Sequence, residues 1–103
     1  MVLFKRRLLE LVLQRRKTQT RRFSKYELTV GRIYPIKDNY CGHPRGYIKI
    51  TQKFKQRLGD ISEPEAKAEG FNSIEDFQAY WESNIGDWNP ELIVKAYEFE
   101  LVT

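Results

Sequence analysis

The sequence predicts an α+β fold that is mainly β, a small and partly closed β-barrel with helices packed on its side. Three observations lead to this prediction. Short alternating apolar segments recur along the chain, as expected of half-buried strands. Helix starts with capping residues occur at Ser62 and Ser73. A length of 103 residues with 41% apolar residues suffices for one core, so we treat residues 1–103 as a single domain.

The first half of the chain is predicted to supply most of the strands. Residues 2–4 begin a strand, and residues 5–14 follow helical spacing with an apolar face. Further strands are predicted at 18–22, 27–30, 33–36 and 47–58. In the last of these, period two places apolar residues on one face (Ile48, Ile50, Phe54 and Leu58) and cations on the other (Lys49, Lys53, Lys55 and Arg57).

The second half of the chain is predicted to form two helices and a final strand. Ser62 and Glu65 form a capping box for a helix that ends at Gly70. A second helix begins at Ser73 and is predicted to bury one face, formed by Ile74, Phe77, Trp81 and Ile85. Residues 92–102 alternate as a strand whose outward Glu98 and Glu100 would neutralise Lys49 and Lys53 if the two strands pair.

A basic run at residues 15–22 is the most unusual stretch of the sequence. It contains five cations, two threonines and one glutamine, with no apolar side chain, and apolar segments flank it on both sides. Burial of unpaired charges is costly, so the run is expected at the surface or along a cleft. One interpretation is a solvated basic turn. The other is a binding segment, because Lys17, Thr20 and Arg22 group an amine, a hydroxyl and a guanidinium.

Charge is distributed unevenly along the chain. Residues 1–58 carry 16 Lys/Arg and 3 Asp/Glu, whereas residues 59–103 carry 2 and 11. This asymmetry favours an anionic partner for the first half, of which nucleic acid is the commonest. The alternative is that the two halves neutralise each other across the fold.

Several classes of protein are not favoured. The sequence has no apolar run long enough for a membrane span and no signal-peptide pattern, and its single cysteine fits a reducing compartment, so a cytoplasmic location is expected. Cys41 and His43 are too few for a zinc site and are interpreted as loop residues. No phosphate-binding loop, dinucleotide fingerprint or Ser-His-Asp set occurs, and we predict neither metal nor cofactor.

The segment Lys17-Thr18-Gln19-Thr20-Arg21-Arg22 resembles the signature of ASCH domains, a branch of the PUA-like superfamily. The likeness extends in order through residues 58–61, Glu65, residues 68–71 and the terminal segment 94–99. It implies a PUA-like β-barrel with a cleft beside the signature, and RNA or nucleoside ligands.

Two positions depart from the family pattern. Arg15 stands where the signature usually has glycine, which would strain a turn with positive φ, and Arg32 follows Gly31 where the family often has aspartate. Both departures add positive charge and favour a polyanionic ligand.

Two functions are carried forward from the sequence. The first is binding of RNA or a modified nucleoside, with candidate ligand-binding residues Arg15, Arg16, Arg21, Arg22, Lys49 and Lys53 and candidate stacking residues Phe23, Tyr34, Tyr40 and Tyr47. The second is hydrolysis, either of N4-acetylcytidine as in some bacterial ASCH proteins or of RNA. The resemblance implies Lys17, Thr20 and Glu69 as its catalytic residues. An ordinary ion pair between Lys17 and Glu69 is the alternative.

Overall fold

The computed structural model describes residues 1–102. Its elements are β1 (Val2–Leu3), α1 (Arg6–Leu13), β2 (Gln19–Arg22), β3 (Ile33–Lys37), β4 (Gly46–Arg57), a 3₁₀ turn (Leu58–Asp60), α2 (Glu63–Ala68), α3 (Ile74–Asn84) and β5 (Ile93–Val102). None of the helices in this part of the chain combines the length and the apolar character that crossing a membrane requires.

The five strands form one mixed sheet in the order β1-β3-β4-β5-β2. β1 is parallel to β3, and the other neighbours are antiparallel. The sheet is a half-barrel, and because its two edge strands, β1 and β2, do not pair with each other, one side of it is open. The predicted α+β fold, a partly closed barrel with helices packed on it, is therefore confirmed.

Helix ends determine where two of the candidate site residues lie. α1 ends in two backbone hydrogen bonds, from Arg15 to Val12 and from Arg16 to Leu11, with Arg15 in the left-handed region at φ 62°. This Schellman geometry normally uses glycine at that position. α2 has the predicted capping box and ends the same way at Gly70, φ 104°. Lys17 follows the first of these turns and Glu69 directly precedes Gly70.

α3 begins at the predicted cap, Ser73, whose hydroxyl accepts a hydrogen bond from the Asp76 amide. Phe77 and Trp81 are buried in the core, as the helical spacing predicts. The prediction that Ile85 is also buried is wrong, because the helix ends at Asn84 and Ile85 is half exposed.

The strand predicted at 27–30 is absent from the sheet. These residues belong to a connector between β2 and β3, where the Leu28 amide donates to the hydroxyl of Tyr97 rather than to a neighbouring strand. The alternating pattern was misleading because a buried tyrosine hydroxyl takes the place of a strand partner.

A β-bulge in β4 changes which side chains share a face. The register with β5 shifts between Ile50 and Gln52. Before the bulge, Ile50 lies opposite Phe99, and after it Lys53 lies opposite Tyr97. Because Tyr97 and Phe99 are two residues apart on β5, Ile50 and Lys53 point to the same face, the concave one.

The bulge also separates Lys49 from the later lysines of β4. Lys49, opposite Glu100, points to the other face. The predicted stripe of Lys49, Lys53, Lys55 and Arg57 on one face is therefore wrong.

Candidate functional site

A cleft of about 470 Å³ lies on the open side of the half-barrel, between the two edge strands and α3. Its size is within the range of small-molecule sites. The lining residues come from β1, α1, β2, the connector after β2 and α3, together with Lys17, Asp38 and Glu69. All three predicted catalytic residues (Lys17, Thr20 and Glu69) and two of the six predicted ligand-binding residues (Arg21 and Arg22) line this cleft.

The floor of the cleft is a buried network of charges centred on Glu69. One carboxylate oxygen of Glu69 accepts a 2.9 Å hydrogen bond from Lys17 Nζ, and the other accepts a 3.0 Å bond from Arg21 Nη1. Arg21 also forms a 2.8 Å ion pair with Glu65. Lys17, Arg21 and Glu69 are each at most 5% exposed, so these charges depend on one another for compensation.

Lys17 Nζ is surrounded by three acceptors. It donates to the Gln19 carbonyl oxygen at 2.8 Å, the Glu69 carbonyl oxygen at 2.7 Å and the Glu69 carboxylate. Three acceptors match the three protons of an ammonium group. Burial lowers the pKa of Lys17, opposed by Glu69 and assisted by the charges of Arg22 and Arg21. Loss of a proton to act as a base would leave one of the three buried acceptors without a donor.

Thr20 and Arg22 form the upper wall of the cleft. Alternation along β2 puts both on the concave face, where Arg22 Nε donates to Thr20 Oγ1 at 3.2 Å and Arg22 Nη2 donates to the Leu3 carbonyl oxygen at 2.7 Å. The guanidinium also lies 5.1 Å from the centre of the Phe4 ring. Burial lowers the pKa of Arg22, but a guanidinium stays charged at neutral pH.

Arg22 differs from Arg21 in having no ion pair with the part of the chain that the structure describes. Within residues 1–102, no carboxylate oxygen lies within 4.0 Å of its guanidinium nitrogens. Within residues 1–102, four cations line the cleft (Lys5, Lys17, Arg21 and Arg22), and three carboxylates accompany them: Asp38 and Glu69 in the lining and Glu65 beside Arg21. The cleft wall therefore carries one net positive charge, which suits an anion or an electron-rich carbonyl oxygen as a ligand.

The remaining predicted ligand-binding residues do not line the cleft. Arg15 donates to the Leu101 carbonyl oxygen, and Arg16 lies beside a smaller cavity near Lys67 and Gly70. Lys49 is on the convex face, and Lys53 is paired with Glu27 at 2.8 Å. Among residues 1–102 no three His, Cys, Asp or Glu side chains are grouped as they would be around a metal ion.

Aromatic side chains form the apolar wall of the cleft. Phe23 lies at the rim and is 65% exposed, and Tyr80 lies on the α3 side. Of the four stacking residues suggested by the sequence, Phe23 is the one that lines this cleft.

Three further residues that line the cleft were not predicted from the sequence: Phe4, Tyr80 and Asn84. Phe4 falls on the apolar face of the first predicted helix, which indicated packing alone, and the patterning singled out neither Tyr80 nor Asn84.

Comparison with known proteins supports the fold. No family model matches the sequence, and no curated protein matches it either. Among solved structures, protein EF3133 from Enterococcus faecalis V583, of family DUF984, is similar with a TM-score of 0.72 and 22% identity over 93% of this chain and 67% of that one. An ASCH domain from Lactobacillus crispatus JV V101 is similar with a TM-score of 0.70 and 18% identity over 91% and 69%. These likenesses confirm what the signature at residues 17–22 predicted: the chain has the fold of an ASCH domain.

Proposed function

We propose that this protein binds a nucleoside, either free and modified or as an unpaired residue of RNA, in the cleft beside Lys17, Thr20, Arg22 and Glu69. The observation that carries the proposal is the Arg22 guanidinium, which faces an aromatic-walled cleft without a carboxylate partner in the described chain. A cytoplasmic location, where RNA and its nucleosides occur, is part of the proposal.

A nucleobase fits the chemistry of both walls. Its ring has a π-face that stacks on aromatic side chains, and Phe23 and Tyr80 offer such surfaces. Its edge carries carbonyl oxygens and ring nitrogens that accept hydrogen bonds. Arg22 has donors beyond the two used on Thr20 and Leu3, and Asn84 adds an amide on the opposite side.

The floor supports this function by holding the wall in place. Lys17 and Arg21 fix both oxygens of Glu69, so the carboxylate is oriented before a ligand arrives. A rigid site loses little conformational entropy on binding. In this proposal Lys17 and Glu69 position the site, and Thr20 and Arg22 contact the ligand.

Hydrolysis of an acylated nucleoside is the second candidate. It is favoured by the grouping of Lys17, Thr20 and Glu69 on one side of the cleft and by the lowered pKa of Lys17. Thr20 would supply the hydroxyl or orient a water. The Glu69 carboxylate would take the proton of that attacking group and pass it to the nitrogen of the leaving amine. The three acceptors around Lys17 argue against its acting as the base in the unliganded arrangement.

Calorimetric titration tests the binding function. Cytidine, N4-acetylcytidine, uridine and adenosine would be titrated into wild type, Arg22→Gln and Arg57→Gln. Arg57 is a matched control because it is an exposed arginine outside the cleft, paired with Asp60. We expect at least one nucleoside to bind, Arg22→Gln to weaken it about tenfold through loss of a charge-assisted hydrogen bond, and Arg57→Gln to leave it unchanged.

The same samples separate binding from catalysis. Mass spectrometry of the N4-acetylcytidine incubation would detect cytidine and acetate if turnover occurs. Turnover that disappears in both Thr20→Val and Lys17→Met would favour the hydrolase. Absence of binding for all four nucleosides and for a short single-stranded RNA would overturn the proposal.

A further inference from the structure

Three cations lie side by side across three adjacent strands. Lys55 of β4 is directly opposite Lys95 of β5, and Lys95 is directly opposite Arg22 of β2. Residues paired in this way share a face of the sheet, with Cα atoms about 4.5–5.5 Å apart. Like charges directly opposite one another destabilise a sheet, so folding alone does not favour this cation row (Arg22, Lys95 and Lys55).

The β4 bulge creates this arrangement. Without the register shift after Ile50, Lys53 and Lys55 would lie on the convex face with Lys49. With it, Lys53 joins a second row in which it is opposite Tyr97, and Tyr97 is opposite Thr20. Bulges often redirect side chains next to binding sites.

The cation row runs from the cleft to the solvent. Arg22 lines the cleft, and Lys95 Nζ donates to the carbonyl oxygen of Ser24, another cleft-lining residue. Lys55 is exposed, and no carboxylate of residues 1–102 forms an ion pair with it. A chain of negative charges leaving the cleft would meet these lysines next.

Glu27 indicates what the lysines bind. One of its carboxylate oxygens is 2.8 Å from Lys53 Nζ, and the other is 3.1 Å from Lys95 Nζ. The two amines are thus spaced to hold an anion with two oxygens. Glu27 lies on the connector after β2 and its side chain is 54% exposed, so an incoming anion can displace it.

We propose that Lys53, Lys55 and Lys95 form a phosphate subsite next to the nucleoside cleft, and that the ligand is therefore a nucleotide within single-stranded RNA rather than a free nucleoside. This inference rests on the proposed function. A phosphodiester offers two unesterified oxygens with one shared negative charge, which matches the Glu27 carboxylate that stands between Lys53 and Lys95. Glu27 occupies the subsite in the unliganded protein and competes with RNA for it.

The test compares two ligands across four variants. A nucleoside from the calorimetric panel and a tetraribonucleotide containing it would be titrated into wild type, Lys55→Gln, Lys95→Gln, Glu27→Gln and Lys49→Gln. Lys49 is the matched control, on the same strand and with the same change of charge but on the convex face. Circular dichroism would confirm that every variant is folded.

We expect the tetraribonucleotide to bind wild type more tightly than the nucleoside. Lys55→Gln and Lys95→Gln should each weaken RNA binding about tenfold more than Lys49→Gln does, and flatten the log–log salt dependence by about 0.7 per lost phosphate contact. Glu27→Gln should tighten RNA binding, and nucleoside affinity should not change in Lys55→Gln or Glu27→Gln.

The two proposals fail in different ways. If the nucleoside binds wild type but the tetraribonucleotide binds no tighter, or if Lys55→Gln and Lys95→Gln match Lys49→Gln, the phosphate subsite is wrong and the nucleoside cleft stands. If no nucleoside binds and Arg22→Gln leaves RNA binding unchanged, the cleft itself is not the site, and both proposals are overturned.

Discussion

Arg22 donates a 2.7 Å hydrogen bond to the carbonyl oxygen of Leu3 and thereby joins the two unpaired edges of the sheet. β2 carries the arginine and β1 carries the carbonyl, and no backbone hydrogen bonding connects these strands. The same guanidinium stacks over Phe4 and lines the cleft. One side chain thus takes the place of a strand pair and provides the charge for which we propose a ligand.

Arg22→Lys tests this double role. Lysine keeps the charge, but its single ammonium group cannot replace the separate Nε and Nη2 donors with which the planar guanidinium reaches Thr20 and Leu3. We expect the free energy of unfolding to fall by about 1–3 kcal/mol, the cost of leaving a partly buried carbonyl without its donor. Nucleoside affinity should fall as well. Urea denaturation and calorimetric titration would measure the two effects, and an unchanged denaturation midpoint would contradict the bridging role.

Glu69→Gln is predicted to be strongly destabilising. Glu69 compensates two buried cations, Lys17 and Arg21, and removal of one partner of a buried charge network costs about 3–5 kcal/mol. Adding Lys17→Met should recover part of this loss, because it removes one uncompensated charge. Chemical denaturation of both single variants and the double variant measures the coupling. Additive losses would show that the charges do not depend on each other.

Trp81→Ala should lower the free energy of unfolding by about 3–5 kcal/mol, because Trp81 is 2% exposed and packs against Phe77 and Trp88. Ile85→Ala is the matched control. Both residues belong to the same helical pattern in the sequence, but Ile85 lies beyond the helix and is half exposed, so its truncation should change stability by less than about 0.5 kcal/mol. Equal losses would contradict the burial of Trp81.

Local signals in the sequence were sufficient for much of the fold. Ser62, Ser73 and Gly70 mark helix boundaries through hydrogen bonds within a few residues, and these boundaries were predicted to within one or two positions. The positive φ at residue 15 was also predictable, because the ASCH signature usually has glycine there.

Features that depend on contacts between residues far apart in the sequence were not predictable. The β4 bulge arises from the register with β5, and the hydroxyl of Tyr97 that holds the 27–30 connector comes from 69 residues beyond Leu28. In the site, Lys17 and Thr20 are near in sequence, but Glu69 joins them only through the fold, and it was named from the family resemblance. Arg22 was predicted as a ligand-binding residue, whereas its bond to Leu3 depends on barrel curvature.

The ion pairs of Glu27 predict how the stability of the folded protein depends on pH. Hydrogen bonds from Lys53 and Lys95 lower the pKa of Glu27 from 4.5 to about 2. Because the folded-state pKa is depressed, the unfolded chain binds the proton more readily, and stability falls as pH falls through this range. Wild type should therefore be more stable than Glu27→Gln above about pH 4.5, with the difference lost as pH approaches 2.

Thermal unfolding midpoints of the two proteins across this pH range, at low ionic strength, would measure the Glu27 effect. The difference should shrink at high salt, because the carboxylate is exposed and its charge is screened. A difference that stayed constant from neutral pH down to the acidic limit would contradict the ion pairs.

Arg15→Gly is predicted to stabilise the protein. The left-handed conformation costs a residue with a Cβ atom about 1–2 kcal/mol, and Arg15 adopts it at φ 62° in the turn that ends α1. Glycine avoids that cost, although it gives back part of the gain through the greater freedom of the unfolded chain. The substitution also removes the exposed hydrogen bond from Arg15 to Leu101.

Arg15→Ala is the control that isolates the backbone effect, since it loses the same guanidinium but keeps the Cβ atom. We expect the glycine variant to be more stable than the alanine variant by about 1 kcal/mol in chemical denaturation. An alanine variant at least as stable as the glycine variant would mean that the turn carries no strain at residue 15.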